Sequence, residues 1–308
     1  MKRFLQNTLI FFLFFFTLFY ILQYIQEIPK RKKLAQKTEK NYIKWTGFKK
    51  ASPNTVFLGS SKMYCSINPS VFDSITSLHS YNLATASQSL IESYYFLDYA
   101  ITQHAEIKYA VVGLSQSAFN EIDYYHALAN AEYLDKKHKW NFIVNGLGLK
   151  GICFQLIPFL KYQGYIDLMG NKKNNEKSSW ENGYYRDSKI IDSLKFDNNL
   201  TNSNIDTLIN PERIKYMSKI VELCKEKNIV LVFTRTPLYP KLHHSMDFEI
   251  AFIDSLCKGY QTPFFHDYPI SSYNKADFSN QVHNNITGAV KTSTFLANWF
   301  LKNIVNRS

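Results

Sequence analysis

The chain has 308 residues, 45% of them hydrophobic and 16% aromatic, enough apolar material for a sizeable core in one large domain or two small ones, which excludes wholesale disorder. The formal net charge of +11 is concentrated: residues 30–50 hold nine Lys or Arg against the single acid Glu39, leaving about +2 for everything beyond residue 50. A nearly neutral globular part lacks the basic face that nucleic-acid binding requires, so that class of partner is set aside.

In chain order, the first element is an apolar run. Leu9 to Ile25 is almost unbroken, and with Phe4 and Leu5 it approaches the ~20 residues a helix needs to cross a bilayer. A cleavable signal would end at small residues. The exit here reads Gln23-Tyr24-Ile25-Gln26-Glu27-Ile28-Pro29-Lys30, which favours an uncleaved transmembrane anchor over residues 1–28. A basic juxtamembrane linker over 29–52 follows, suited to anionic head groups. Charge alone leaves the orientation open, because Lys2 and Arg3 on one flank face the larger cluster Lys30-Arg31-Lys32-Lys33 on the other.

Strand-like and helix-like pieces then alternate over residues 53–308. Val56–Leu58, Ser80–Leu83, Lys108–Leu114, Ile229–Thr234 and Pro263–Phe265 read as strands. Leu90, Tyr94, Leu97 and Ile101 recur at helical spacing and predict a helix over Ser87–Gln103. Asn210-Pro211 is a cap followed by a first-turn proline, and Ile214, Met217, Val221 and Cys224 form the apolar stripe of a helix that Asn228 ends. A last helix runs from Ile286 to Asn303. This alternation predicts a three-layer αβα, doubly wound α/β domain with a mostly parallel sheet. Between the third and fourth strands lies an insert near 120–205, read as irregular. It contains a polar loop from Asn171 and the segment Trp180-Glu181-Asn182-Gly183-Tyr184-Tyr185-Arg186. Trp180, Tyr184 and Tyr185 are candidates either for stacking on sugar rings or for the core.

Cys65, Cys153, Cys224 and Cys257 form no CxxC pair and have no histidine at ligand spacing, which sets zinc aside and favours buried free thiols. His243 and His244 are adjacent and point apart in most backbones, so they are not read as a ligand pair.

The chemistry-bearing segments are short. Thr55-Val56-Phe57-Leu58-Gly59-Ser60-Ser61 is a buried strand that breaks at a glycine into hydroxyl residues, an arrangement that presents a side chain at the carboxyl edge of an open sheet. Asp277-Phe278-Ser279-Asn280-Gln281-Val282-His283-Asn284-Asn285 could deliver His283 as its base. The plainer alternatives are that Ser61 caps the following helix, that His283 bonds a backbone carbonyl, that Asn280 forms a turn, and that Asn82 and Ser87 are turn or capping residues.

Taken in order, these segments resemble the SGNH (GDSL-like) hydrolase superfamily. The likeness runs over about residues 54–305 and is greatest to membrane-anchored members that assist O-acylation of cell-surface polysaccharides, such as the alginate-acetylation and teichoic-acid alanylation accessory proteins. Gly59-Ser60-Ser61 matches the Gly-x-Ser turn and puts Ser61 at the nucleophile position. Asn82-Leu83-Ala84-Thr85-Ala86-Ser87-Gln88 and Gly113-Leu114-Ser115-Gln116 match the second and third segments. Asn280-Gln281-Val282-His283 stands where the family has Asp-x-x-His. Three positions depart from the pattern: Asn280 replaces the orienting acid, Ser87 a glycine, and Ser115 an oxyanion-hole asparagine. Asp277 or Asp267 could supply the missing carboxylate, though neither has the family spacing. The resemblance implies an SGNH/flavodoxin-like fold, an extracytoplasmic domain, and a serine esterase or O-acyltransferase. In that enzyme His283 activates Ser61, and Ser61, Ser87, Ser115, Gln116 and Asn82 surround the oxyanion. It implies no cofactor and an acylated or acyl-accepting envelope polysaccharide as partner, and it leaves open a membrane-bound O-acyltransferase as a second partner. The alternative is an accessory or scaffold protein that kept the fold while its acid became Asn280.

Overall fold

A computed structural model describes residues 1–119, 122–157, 180–191, 210–243 and 247–307; the side chains of 23–42, 116, 117, 241, 243 and 307 lie outside the description. Helix α1 (Lys2–Ala51) is continuous, and its first part, Lys2–Leu22, is long and apolar enough to cross a membrane. Its last two turns belong to the domain. Trp45 and Phe48 are buried, Trp45 against Phe96 and Tyr99 and Phe48 against Tyr81 and His104. The sequence places the boundary at 52–53, and about two helical turns before it already pack on the domain. Composition misled here: the Lys-rich surroundings mark a linker, but Trp45 and Phe48 lie on one face three residues apart.

The sheet is five-stranded and wholly parallel, in the order β2-β1-β3-β6-β7. Its strands are β1 (Thr55–Leu58), β2 (Ser80–Asn82), β3 (Tyr109–Gly113), β6 (Val230–Thr234) and β7 (Phe264–Phe265). Period-two alternation divides each strand between two cores. Val56, Leu58, Ala110, Val112, Leu231 and Phe233 face one cluster, and Phe57, Val111, Val232 and Phe265 face the other.

Helices cover both faces. The first is packed by α4 (Leu90–Gln103), by α9 (Pro211–Glu226), and by the end of α1; the second by α2 (Ser61–Ser66), α3 (Pro69–Thr76) and α12 (Ile286–Asn303). Local chemistry sets the boundaries. Ser89 and Glu92 form a reciprocal capping box that starts α4 at Leu90, three residues later than periodicity alone places it. Asn210 caps α9, and Asn285 caps α12 by accepting from Thr287 N and Gly288 N.

The first part of the insert is helical, not irregular. Alongside the short α5 (Gln116–Phe119), it forms α6 (Tyr124–Ala131), capped by Asp123, and α7 (Lys136–Asn141), capped by Asp135. A π-helical turn over Phe142–Leu147 and α8 (Gly148–Leu156) follow. The two Asp caps were present in the sequence, but helices this short carry little periodicity. A hairpin of β4 (Trp180–Glu181) and β5 (Tyr184–Tyr185) sets its Asn182-Gly183 turn against β2, where Asn82 N donates to Asn182 O at 2.9 Å. The loop from Asn171 and most of the rest of the insert lie outside the described residues. All four cysteines are free thiols; burial pushes Cys224 and Cys257 up to about 12.

Removing residues 1–52 uncovers Phe96, Tyr99 and Tyr81 together. Each lost aromatic is worth ~3–5 kcal/mol by analogy with Phe or Trp to Ala changes. A fragment starting at Pro53 is expected to show no cooperative denaturant transition, whereas one starting at Ile43 retains it. Equal stability of the two fragments would show that the α1 end is dispensable.

Candidate active site

The sheet delivers its chemistry at the carboxyl edge. After Leu58 the chain turns through Gly59 at φ +130°, a conformation open to glycine, and Ser60 takes the extended N-cap position of α2. Ser61 is therefore not the cap; it is the first residue of the helix. From the other end of the sequence, the loop before α12 is closed on itself. Asp277 O accepts from Asn284 Nδ2 and Asn285 N, and Ser279 N donates to His283 O. These constraints bring His283 Nε2 to 2.7 Å from Ser61 Oγ, across 222 residues of chain.

Asn280 supplies the third group. Its Oδ1 accepts from Val282 N and His283 N, each at 3.0 Å, which fixes the amide orientation and turns Nδ2 to His283 Nδ1 at 2.9 Å. An amide nitrogen donates, so Nδ1 accepts, and a neutral imidazole must then carry its proton on Nε2. In that tautomer the imidazole donates to Ser61 Oγ instead of accepting its proton. The ring is neutral: burial and the nearby Lys62 charge lower its pKa to about 4, with Asp187 opposing.

Neither substitute acid reaches the imidazole. Asp277, 1% exposed, pairs with Lys291 at 2.8 Å and accepts from Asn274 N at 2.8 Å. Spacing alone did not reveal this, because Lys291 approaches from α12. Asp267 is exposed beside His266.

The remaining candidates divide. Ser87 occupies the left-handed region at φ +53°, so the backbone adopts at a serine the turn a glycine would favour. Its loop is pinned by Thr85 N to Gly59 O and by Asn130 Nδ2 to Ala86 O. The same Asn130 donates to Glu92, whose carboxyl burial pushes up to about 7. Ser115 is buried just beyond β3. Gln116 opens α5, and its side chain lies outside the described residues. Asn82 holds the backbone: Nδ2 donates to Met63 O and Ile67 O, and Oδ1 accepts from Ala84 N. Its side chain is committed to the end of α2 and not to an oxyanion. Tyr184 is core, but Trp180 and Tyr185 are half-buried and pack on Tyr64, in the first turn of α2.

Sequence reasoning missed the charges around Ser61. Arg235, immediately after β6, pairs at 3.1 Å with Glu249 of helix α11 (Asp247–Gly259), which follows the short α10 (Pro240–His243); both side chains are buried. Lys62 feels this pair, and burial lowers its pKa. Asp187 lies beyond the hairpin and accepts Ile286 N on its carbonyl. Lys62 adjoins Ser61 in sequence and could have been flagged; Arg235 and Asp187 are brought in by the fold alone.

No protein-family model matches the chain, and no curated protein matches it in sequence. Among solved structures it is similar to a G-D-S-L-family protein from Desulfitobacterium hafniense DCB-2, at 9% identity and TM-score 0.41, covering 80% of this chain and 98% of that one. It is also similar to a GDSL-like lipase from Bacteroides thetaiotaomicron VPI-5482, at 10% identity and TM-score 0.40, covering 83% and 91%. A third is an acetyl xylan esterase from the rumen bacterium Butyrivibrio proteoclasticus, at 9% identity and TM-score 0.36, covering 82% and 64%.

Asn280→Asp places an acceptor where Nδ2 now donates. It is expected to reverse the tautomer and raise the reactivity of Ser61 by up to ~10⁴, the factor lost in the reverse change in a Ser-His-Asp triad. The rate of labelling by a fluorophosphonate measures it. In the parent, His283 is neutral above pH about 4, so reactivity falls only as pH drops through that value. In Asn280→Asp the carboxylate stabilises the imidazolium and the acid inflection moves upward. Unchanged rate and inflection would show that the tautomer does not limit Ser61.

Proposed function

We propose that the chain is a membrane-anchored SGNH-type protein whose Ser61–His283 pair handles acyl esters of a cell-envelope polysaccharide, as a serine esterase or O-acyltransferase. The observation that carries this reading is the 2.7 Å contact between Ser61 Oγ and His283 Nε2 at the carboxyl edge of a parallel sheet. In the working tautomer, with the proton on Nδ1, His283 takes the Ser61 proton as the hydroxyl attacks the acyl carbonyl. The N–H groups of Ser61 and Ser87, with Ser115 nearby, hold the oxyanion. The intermediate collapses as the donor's C–O bond breaks, and His283 protonates the departing alcohol, leaving the acyl group on Ser61. Water or a sugar hydroxyl then attacks that acyl group and gives its proton to His283, which returns it to Ser61 as the acyl group leaves. Reaching that tautomer costs the Asn280 contact, so turnover is slow.

Two features support a polymer substrate. From Leu22, where the apolar stretch ends, α1 runs 22 residues to Lys44, about 33 Å at 1.5 Å per residue, which holds the site away from a bilayer surface. Trp180 and Tyr185, beside Tyr64, offer half-exposed rings near the nucleophile for a sugar face. An extracytoplasmic domain follows from such a substrate.

Asn280 favours a second reading, an accessory protein that retains the fold and the Ser–His contact without turnover. Fluorophosphonate labelling of the full chain in detergent, with Ser61→Ala and Asn280→Asp, separates the two. Labelling of the parent that is lost in Ser61→Ala supports the enzyme. Labelling confined to Asn280→Asp supports the accessory reading. Labelling of neither would make the contact structural. Trp180→Ala is expected to weaken retention on an immobilised acetylated polysaccharide by roughly fivefold to tenfold, the scale of one stacking contact.

A further inference from the structure

Two turns before the end of α1, the side chain of Lys44 enters the domain. It is 2% exposed, a rare state for a lysine. The ammonium donates to the carbonyl of Ala84 and lies over two aromatic faces, 5.0 Å from the ring centroid of Tyr64 and 4.8 Å from that of Trp180. No carboxylate among the described residues pairs with it, and burial lowers its pKa to about 7.

Each contact leads to the reaction centre. Ala84 begins the loop that carries Ser87, and the next residue, Thr85, bonds through its N–H to Gly59 O, two residues before Ser61. Tyr64 lies in the helical turn that Ser61 opens. Trp180 belongs to the hairpin and packs on Tyr64 with ring centroids 5.4 Å apart. A methionine would fill the same space without burying a charge. What the ammonium adds is direction, since one cation fixes a carbonyl and two ring faces at once.

We propose that Lys44 is a positioning residue for Ser61 and the Ser87 loop, so that the docked end of the anchor helix forms part of the reaction centre. The proposal rests on the reading of Ser61 and His283 as an acyl-handling pair.

The test uses the full chain in detergent, as Lys44→Met and Lys44→Arg, each with and without Asn280→Asp. Hydrogen exchange over residues 61–66 and 84–88 reports positioning without any activity, and the rate of fluorophosphonate labelling reports Ser61. In Lys44→Met the denaturation midpoint is expected to hold, because the buried charge is gone and the apolar stem remains. Exchange in both segments rises, exchange in β3 and α9 does not, and labelling slows by about tenfold or more, as small displacements of a reacting group do. Lys44→Arg, which keeps a cationic donor, recovers part of both. Exchange and labelling in Lys44→Met equal to the parent would overturn the proposal. If no background labels, the acyl reading fails, and exchange alone decides whether Lys44 orders the Ser87 loop. If Lys44→Met does not fold, Tyr64→Leu removes one face of the cage with Lys44 intact. The same local rise in exchange then supports the proposal, and its absence overturns it.

Discussion

Ser61 stands within reach of a histidine because α2 lies almost on the sheet, and that approach is possible only where two strands end without a side chain. A Cβ at Gly59 would come within 2.9 Å of Met63 Cγ, and one at Gly113 would collide with the same methionine. Met63 is in the first full turn of α2, so a larger residue at either strand end must displace the side chain that seats this helix beside the sheet. The histidine side has a matching constraint. A Cβ at Gly288 would strike Asp277 O, the carbonyl that closes the His283 loop through Asn284 and Asn285. Backbone approach therefore sets the site before any side-chain chemistry does. The Ser61–His283 contact is the consequence of close packing at three glycines.

That dependence explains what could be read from residues alone. Four of the five strands were legible as short apolar runs bounded by turn formers, while β2, Ser80-Tyr81-Asn82, has only Tyr81 as an apolar residue. Asn210-Pro211 marked a helix start for the same reason that it makes one, a side-chain cap followed by a residue with no N–H to satisfy. Ser61 and His283 were legible through their place after a strand and before a helix. Residues whose role depends on a distant partner were not. Asp277 looks like a spare carboxylate until Lys291 meets it, and Asn82 looks like an oxyanion ligand until Met63 O and Ile67 O claim its amide. Lys44 was one of nine cations in a basic stretch, and nothing in that stretch distinguishes the one that turns inward.

The charges collected around Ser61 act on the imidazole in opposite senses. Lys62 lowers the pKa of His283, while Arg235 is tied to Glu249 close enough for Lys62 to feel both. Cations fixed in a poorly solvated site oppose an imidazolium and favour a developing oxyanion. Burial, the main cause of the neutral His283, opposes an oxyanion as it opposes an imidazolium, so only the Lys62 charge works in favour of negative charge there. Asp187 pulls the other way on the imidazole, but it does not touch Nδ1, where an orienting acid has to act.

The enzyme and accessory readings thus differ at one atom. Asn280 keeps every backbone contact that an aspartate would make there, since its Oδ1 accepts from Val282 and His283 as a carboxylate oxygen could. The loop, the ring orientation and the 2.7 Å contact with Ser61 are all preserved by that oxygen. Only the second atom of the side chain is changed, from an acceptor to a donor, and it faces the nitrogen that decides which way the Ser61 hydrogen bond runs. A substitution that disturbed the fold would have scattered the site. An asparagine here leaves the loop assembled and differs from an aspartate in the direction of a single proton, which holds His283 in its donating form.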